Sequence, residues 1–262
     1  MRVAGTHVLL TGATGDIGRR LATHLSDAGA RLTLVARRTQ PLAAFAADLG
    51  TRATAHPADL TDRETLRTLI DTVEHAHGPV DVLVNNAGTE SAGHLTDLTA
   101  DDLENLVALN LLAPVELCRQ VLPGMTARGR GHLVNISSLA GVATFPGLAT
   151  YGATKAGLTH FTSGLRADLR GGPIGTLAVE IGPVSSQMMG RIADHPPTAA
   201  AFDRVLRTRA LTMLDPDAVA GAVVAAVEDD QPTLRMPRRV APLASITHAP
   251  RSVVRLALTG IR

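Results

Sequence analysis

Short apolar runs alternate with longer amphipathic stretches along most of the chain. The runs predict strands over 7–11, 31–36, 52–56, 80–85, 132–137, 175–181 and, more briefly, 233–236. Helical spacing fills the gaps over 17–28, 41–49, 63–77, 101–127, 151–170 and 217–229. The strands carry Val, Leu and Ala on both faces, which requires a sheet covered on both sides. Strict alternation of strand and helix implies parallel strands with right-handed crossovers. The pattern therefore predicts a doubly wound α/β sheet. Nothing divides the 262 residues, so one domain over 1–262 is expected.

Local punctuation sharpens the boundaries. Thr99 followed by Asp102 resembles a capping box. Pro114 falls inside the fourth helix and should kink it or remove a backbone bond. Asp215-Pro216-Asp217 starts the sixth helix. The stretch 184–212 has no clean period and contains Pro196-Pro197. A loop of that length is expected to be a functional lid, placed at about 185–212. A tail, 237–262, follows the last strand.

Composition narrows the function classes. With 25 basic and 24 acidic residues, nothing points to nucleic acid as a partner. Aromatics are only 2%, so the core must be aliphatic. Cys118 is the only cysteine and lies in an apolar helical stretch, where a small core residue is expected. A reducing, cytoplasmic setting fits a chain with one cysteine and no signal-peptide pattern in Met1–Gly5. No run of about 18 apolar residues is present, and the longest candidate, 218–227, reads as a buried helix. The ten histidines lack ligand spacing, so no metal site is expected. Tyr151 is the only tyrosine and Lys155 the only lysine; every other cation is Arg. A lone Lys marks a site where Arg would not serve.

The first strand ends in Thr11-Gly12-Ala13-Thr14-Gly15-Asp16-Ile17-Gly18, and a helix follows. Strand, glycine-rich turn and helix suit a dinucleotide diphosphate, although an ordinary βα turn also uses flexible residues. The second strand ends in Ala36-Arg37-Arg38, where an acid would grip the ribose 2′-OH of NAD. Arginines there favour the 2′-phosphate of NADP(H), which a guanidinium can hold at two points.

Tyr151 and Lys155 stand four apart on a helix and share one face. A free phenol, with a pKa near 10, is a poor acid–base group at neutral pH. A neighbouring ammonium would lower that value and let the pair exchange a proton with a carbonyl or alcohol oxygen. Ser137 and Ser138 end the fifth strand, where a hydroxyl can orient the substrate oxygen. No Gly-x-Ser-x-Gly elbow signals serine attack.

Taken together, Gly12–Gly18, Asp59-Leu60, Asn85-Asn86-Ala87-Gly88, Asn110, Ser138, Tyr151-x-x-x-Lys155 and Gly182-Pro183-Val184 resemble the short-chain dehydrogenase/reductase family, in its compact branch. The resemblance implies a Rossmann-type sheet of seven strands in the order 3-2-1-4-5-6-7. It implies that Tyr151 moves the proton and Ser138 holds the carbonyl oxygen. Lys155 would bind the nicotinamide ribose, and Asn110 would hold a water linking Lys155 to a proton relay. Gly12, Thr14, Gly15, Asp16, Ile17 and Gly18 would cradle the diphosphate, with Arg37 and Arg38 at the ribose phosphate. Asp59 and Leu60 would flank the adenine. Asn86, Ala87 and Gly88 would line the central crevice, and Pro183 and Val184 would contact the nicotinamide. A homodimer or homotetramer formed through the fourth and fifth helices is also implied.

Three positions depart from the compact pattern. Asp16 stands where that branch has glycine, and it either caps the helix or faces solvent. Ile181-Gly182-Pro183 replaces a Pro-Gly step, and Ser186 takes a position often held by Thr. The tail carries Arg238, Arg239, Arg251, Arg255 and Arg262 among Val253, Val254, Leu256, Leu258 and Ile261. It is either a helix covering the pocket or a subunit contact, or an amphipathic membrane-surface anchor. The expected function is carbonyl–alcohol interconversion with NADP(H). Apolar residues in the lid point to a small, lipophilic substrate. A low-turnover nucleotide-binding sensor or scaffold, and a sugar-nucleotide-modifying enzyme, stay open as alternatives.

Overall fold

A computed structural model describes residues 1–207 and 211–238 of the chain. The tail from residue 239 onward and Arg209 of the predicted lid lie outside the described residues. Seven parallel strands form one sheet in the order β3-β2-β1-β4-β5-β6-β7. They are β1 His7–Thr11, β2 Arg31–Ala36, β3 Ala53–Pro57, β4 Val82–Asn85, β5 Gly131–Ser138, β6 Ile174–Ile181 and β7 Thr233–Met236. The chain order reverses between β1 and β4, which opens a crevice beyond their carboxyl ends.

Residues of opposite parity on each strand feed two cores. Val8, Leu10, Leu32 and Leu34 pack with α1 (Asp16–Asp27), α2 (Thr39–Asp48) and α9 (Pro216–Glu228). Leu9, Val35, Leu83 and Leu133 pack on the other face against α3 (Arg63–His77) and α5 (Ala113–Arg128), where α6 (Ala149–Asp168) adds Phe161 and Leu165. Burial of these aliphatic side chains, at about 1.5–3 kcal/mol each, is the dominant favourable term. Cys118 belongs to the second core, and burial pushes its thiol up to about 12, which makes it inert at neutral pH.

The fourth predicted helix is continuous over 100–128 but not uniform. After α4 (Ala100–Val107) comes a π-helical turn, Ala108–Leu112, in which the Ala113 N–H bonds the Ala108 carbonyl. Pro114 has no N–H to offer the Asn110 carbonyl, so the extra residue is accommodated there, with Asn110 buried at its centre. The helix starts on the capping box that Thr99 and Asp102 form. By length and composition alone it could cross a membrane, yet Leu106, Leu117, Val121 and Met125 are buried against the rest of the fold.

The stretch 185–212 differs most from its sequence reading. Instead of a loop without period it contains α7 (Gln187–Ala193) and α8 (Pro196–Arg207). α7 is too short to show a period. The prolines, read as loop markers, open α8, where the missing N–H costs nothing. The stretch leaves and rejoins the fold at one point, where the Ser185 N–H donates to the Leu214 carbonyl at 3.0 Å and the Leu214 N–H to that of Pro183 at 2.8 Å.

Candidate active site

Two connected hollows lie at the carboxyl ends of the strands. The outer one is a cleft of about 710 Å³ at the β1–β4 crevice. Gly12 turns the chain out of β1 at φ +66°, and a Cβ there would fall 2.7 Å from the Ala87 Cα. A Cβ on Gly18 would overlap the Gly12 carbonyl oxygen. These glycines therefore hold the loop, the helix start and the β4 end at backbone contact. Thr11 and Asn86 lock the arrangement. The Thr11 hydroxyl accepts the N–H groups of Asn86 and Ala87, each at 3.0 Å. The Asn86 amide donates to the Thr11 and Gly12 carbonyls at 3.0 and 3.1 Å.

The cleft gathers most of the predicted cofactor residues. Gly12, Thr14, Gly15, Asp16, Ile17 and Gly18 line it, with Arg37, Arg38, Leu60, Asn86, Ala87 and Gly88. Both arginines are exposed at the end of β2. Asp59 does not line it; its carboxylate accepts the N–H and hydroxyl of Thr61 at 2.9 and 2.7 Å, and Ala58 takes its place beside Leu60. Asp16 neither caps α1 by side chain nor simply faces water. Its carboxylate accepts the Gln187 N–H of α7 at 2.8 Å.

The inner hollow, about 110 Å³, is lined by Leu139, Phe145, Leu148, Ile181, Met189, Ile192, Phe202 and Leu211. Ser138, Tyr151 and Lys155 also line it, and Pro183 and Val184 lie here rather than in the outer cleft. Ile17, Asn86, Gly88, Ser186 and Met188 border both hollows, so the two communicate. Tyr151 and Lys155 are almost fully buried, at 8% and 5% exposure. The Lys155 ammonium lies 5.9 Å from the Tyr151 ring centroid and donates to the Ile136 carbonyl at 2.9 Å. The Ser137 hydroxyl bonds the Lys155 carbonyl and Thr159, so Ser137 braces α6 while Ser138 faces the hollow.

The electrostatics differ from the expected lowering of the Tyr151 pKa. Burial pushes the phenol up to about 12, with Ser138 acting the other way and the Glu90 carboxylate adding to the rise. Burial likewise pulls Lys155 down to about 8. Desolvation is the largest cause of both shifts, because both side chains are almost fully buried. Tyr151 is thus held in its neutral, protonated form. Asn110 fixes the neighbouring loop. Its side chain donates to the Thr89 carbonyl at 2.8 Å and accepts the Thr89 N–H at 2.9 Å. It also donates to the Thr154 hydroxyl on α6 at 3.2 Å.

Sequence reasoning missed Glu90 and Leu109 as site residues, and it placed Met188 and Arg191 only as members of the lid. Glu90 carries no local pattern, and only folding brings it to Arg191, 101 positions away.

Comparison with known proteins fits this geometry. The sequence profile described as short chain dehydrogenase matches residues 6–197. The chain belongs to the short-chain dehydrogenase/reductase family of NAD(P)-dependent oxidoreductases. It is 34% identical over 230 residues to the ketoacyl reductase HetN of Nostoc sp., covering 87% of this chain and 77% of that protein. Against the glycine betaine reductase ATRR of Emericella nidulans it is 32% identical over 242 residues, 91% of this chain but only 18% of that longer protein. The chain spans 41% of the mycobacterial probable oxidoreductase EphD, at 31% identity. Among solved structures, a short-chain dehydrogenase from Sphingobium yanoikuyae in complex with NADPH superposes with a TM-score of 0.84 at 28% identity, covering 98% of this chain and 96% of that one. One from Streptomyces avermitilis gives 0.79 at 30% identity, covering 99% and 96%. Members of this family act on small molecules, and the seven-stranded order anticipated from the motifs is the one found.

Proposed function

We propose that the protein interconverts a lipophilic carbonyl compound and its alcohol with NADP(H). One observation carries the reading: Ser138, Tyr151 and Lys155 meet in an apolar hollow that opens directly into a dinucleotide-sized cleft. The glycine loop suits a dinucleotide, because Gly12 and Gly18 let the loop, the start of α1 and the end of β4 pack at backbone contact, while Gly15 lines the cleft with no side chain to fill it. The bound nicotinamide would supply or accept the hydride. Tyr151 donates the matching proton to the carbonyl oxygen in reduction and takes it back in oxidation. The Ser138 hydroxyl orients that oxygen. Lys155, nearly buried and cationic below about pH 8, stabilises the phenolate left after proton transfer. Asn110 fixes the Gly88–Thr89 segment through its bonds to Thr89, and Pro114 offers its backbone carbonyl no N–H, which suits the water the resemblance assigns to it.

Arg37 and Arg38 support NADP(H) over NAD(H), since no acid stands at the end of β2. We read 185–212 as a substrate lid on a single domain, since α7 and α8 supply Met188, Met189, Ile192 and Phe202 to the inner hollow. The NADPH of the Sphingobium complex and the ketoacyl reductase name of the Nostoc relative are consistent with this reading. Self-association through α4, α5 and α6 is part of the proposal; Val107 and Leu112 are 48% and 47% exposed there. A single monomer peak in sedimentation would remove that part.

The test is calorimetric titration of NADPH against NADH on wild type and Arg37→Ala. Tighter NADPH binding that weakens about tenfold in the variant is expected. A carbonyl screen with NADPH then follows, with Tyr151→Phe as the inactive control. Equal affinity for both cofactors would remove the NADP preference, and binding of neither would overturn the function.

A further inference from the structure

A charged cluster fastens α7 to both rims of the outer cleft. On the glycine-loop rim, Asp16 accepts the Gln187 N–H at 2.8 Å. On the β4 rim, Arg191 meets Glu90 at two points, Nε to Oε1 at 2.6 Å and Nη2 to Oε2 at 3.0 Å. This is not an ordinary surface bridge. The Glu90 side chain is 5% exposed and that of Arg191 56%. A sheltered carboxylate therefore fixes the plane of a guanidinium whose other edge is open. A guanidinium has five N–H donors, and Glu90 uses two. Arg191 lines the cleft together with Gly12, Gly15 and Asp16.

Asp16 poses an electrostatic problem. It sits at the first turn of α1, the helix end that should receive a diphosphate, and a carboxylate there repels that anion. Arg191 is close enough for the Asp16 charge to favour its guanidinium form. We propose that Arg191 is a cofactor-positioning residue whose free donors hold the dinucleotide's diphosphate from the lid side, with Glu90 orienting it and its charge offsetting Asp16. The inference rests on the dinucleotide-binding reading above. It adds a diphosphate contact supplied by the lid rather than by the glycine loop.

The test uses calorimetry on the full chain with three probes: NADPH, NADH and adenosine 2′-phosphate, which has no diphosphate. Arg191→Ala should weaken both dinucleotides about tenfold and leave adenosine 2′-phosphate within about twofold of wild type. Arg191→Lys, which keeps the charge but loses the two-point grip, should fall between. Adding Asp16→Asn to Arg191→Ala should recover part of the loss, because the amide oxygen still accepts the Gln187 N–H while the repelling charge is gone. Unchanged dinucleotide affinity in Arg191→Ala overturns the inference. So does an equal loss for all three probes, which would mark a general structural role. Wild type that binds neither dinucleotide overturns the dinucleotide reading first, and this inference with it. A wild type that favours NADH removes only the 2′-phosphate preference and leaves the Arg191 arm intact.

Discussion

The outer cleft and the inner hollow are built on opposite principles. The cleft is wide, with bare backbone at Gly12, Gly15, Gly18 and Gly88 in its wall and side-chain charge at its rims. The hollow is about 110 Å³ and walled by Leu, Ile, Phe and Met side chains around the buried Tyr151 phenol. Backbone walls suit a ligand that is always the same, because main-chain N–H groups and close approach do not vary with side chain. Side-chain walls from α7 and α8 suit a ligand that differs from one member of a family to the next.

The comparison is broken most severely at the reacting group. Tyr151→Phe should lower turnover at least about 1000-fold while NADPH affinity stays within about twofold, because only the inner hollow loses a function. Stopped-flow turnover beside calorimetry separates the two, and a parallel loss of binding would show that the hollows are not independent. Gly18→Ala is the converse. Its methyl group overlaps the Gly12 carbonyl, so cofactor affinity should fall about 10-fold or more, with some loss of thermal stability. Wild-type affinity in that variant would mean that the loop gives way freely.

The pH profile gives a smaller effect. Lys155 is pulled down to about 8, so its ammonium is present below that pH and lost above it. Tyr151, pushed up to about 12, stays protonated throughout this range. Reductive kcat/KM should therefore fall as pH rises through about 8, roughly tenfold per unit once past the midpoint. Lys155→Met should be slow and flat over the same range. A wild-type profile flat to pH 10 would remove the ammonium from the mechanism. The mildest change is Met188→Ala. Met188 borders both hollows, so the variant should shift preference toward bulkier carbonyls by about fivefold and also weaken cofactor binding slightly. An effect on one alone would show that the shared wall is not shared in function.

Much of this was legible before folding. The seven strands fall within two residues of the predicted segments, because both faces of the sheet are buried and the apolar runs are correspondingly dense. The pairing of the sole Tyr with the sole Lys needed only helical spacing, and the two do share the hollow. The helices of 185–212 were not legible. α7 has seven residues, and the prolines that open α8 are the same residues that mark a loop. The direction of the Tyr151 shift was also missed. Spacing revealed a neighbouring cation but not the near-complete burial of both groups, nor the Glu90 carboxylate that adds to the rise.

By itself, the sequence determined the doubly wound sheet, the glycine turn, the absence of an acid at the end of β2 and the pairing of Tyr151 with Lys155 on one helix. Each of these depends on neighbours within a few positions, so the chain states them locally. The tertiary structure alone decided that Asp16 bonds α7, that Glu90 holds Arg191 across 101 positions, that Met188 stands between the two hollows, and that desolvation governs the Tyr151 proton. These are properties of distance and burial, and they exist only once remote segments have packed together.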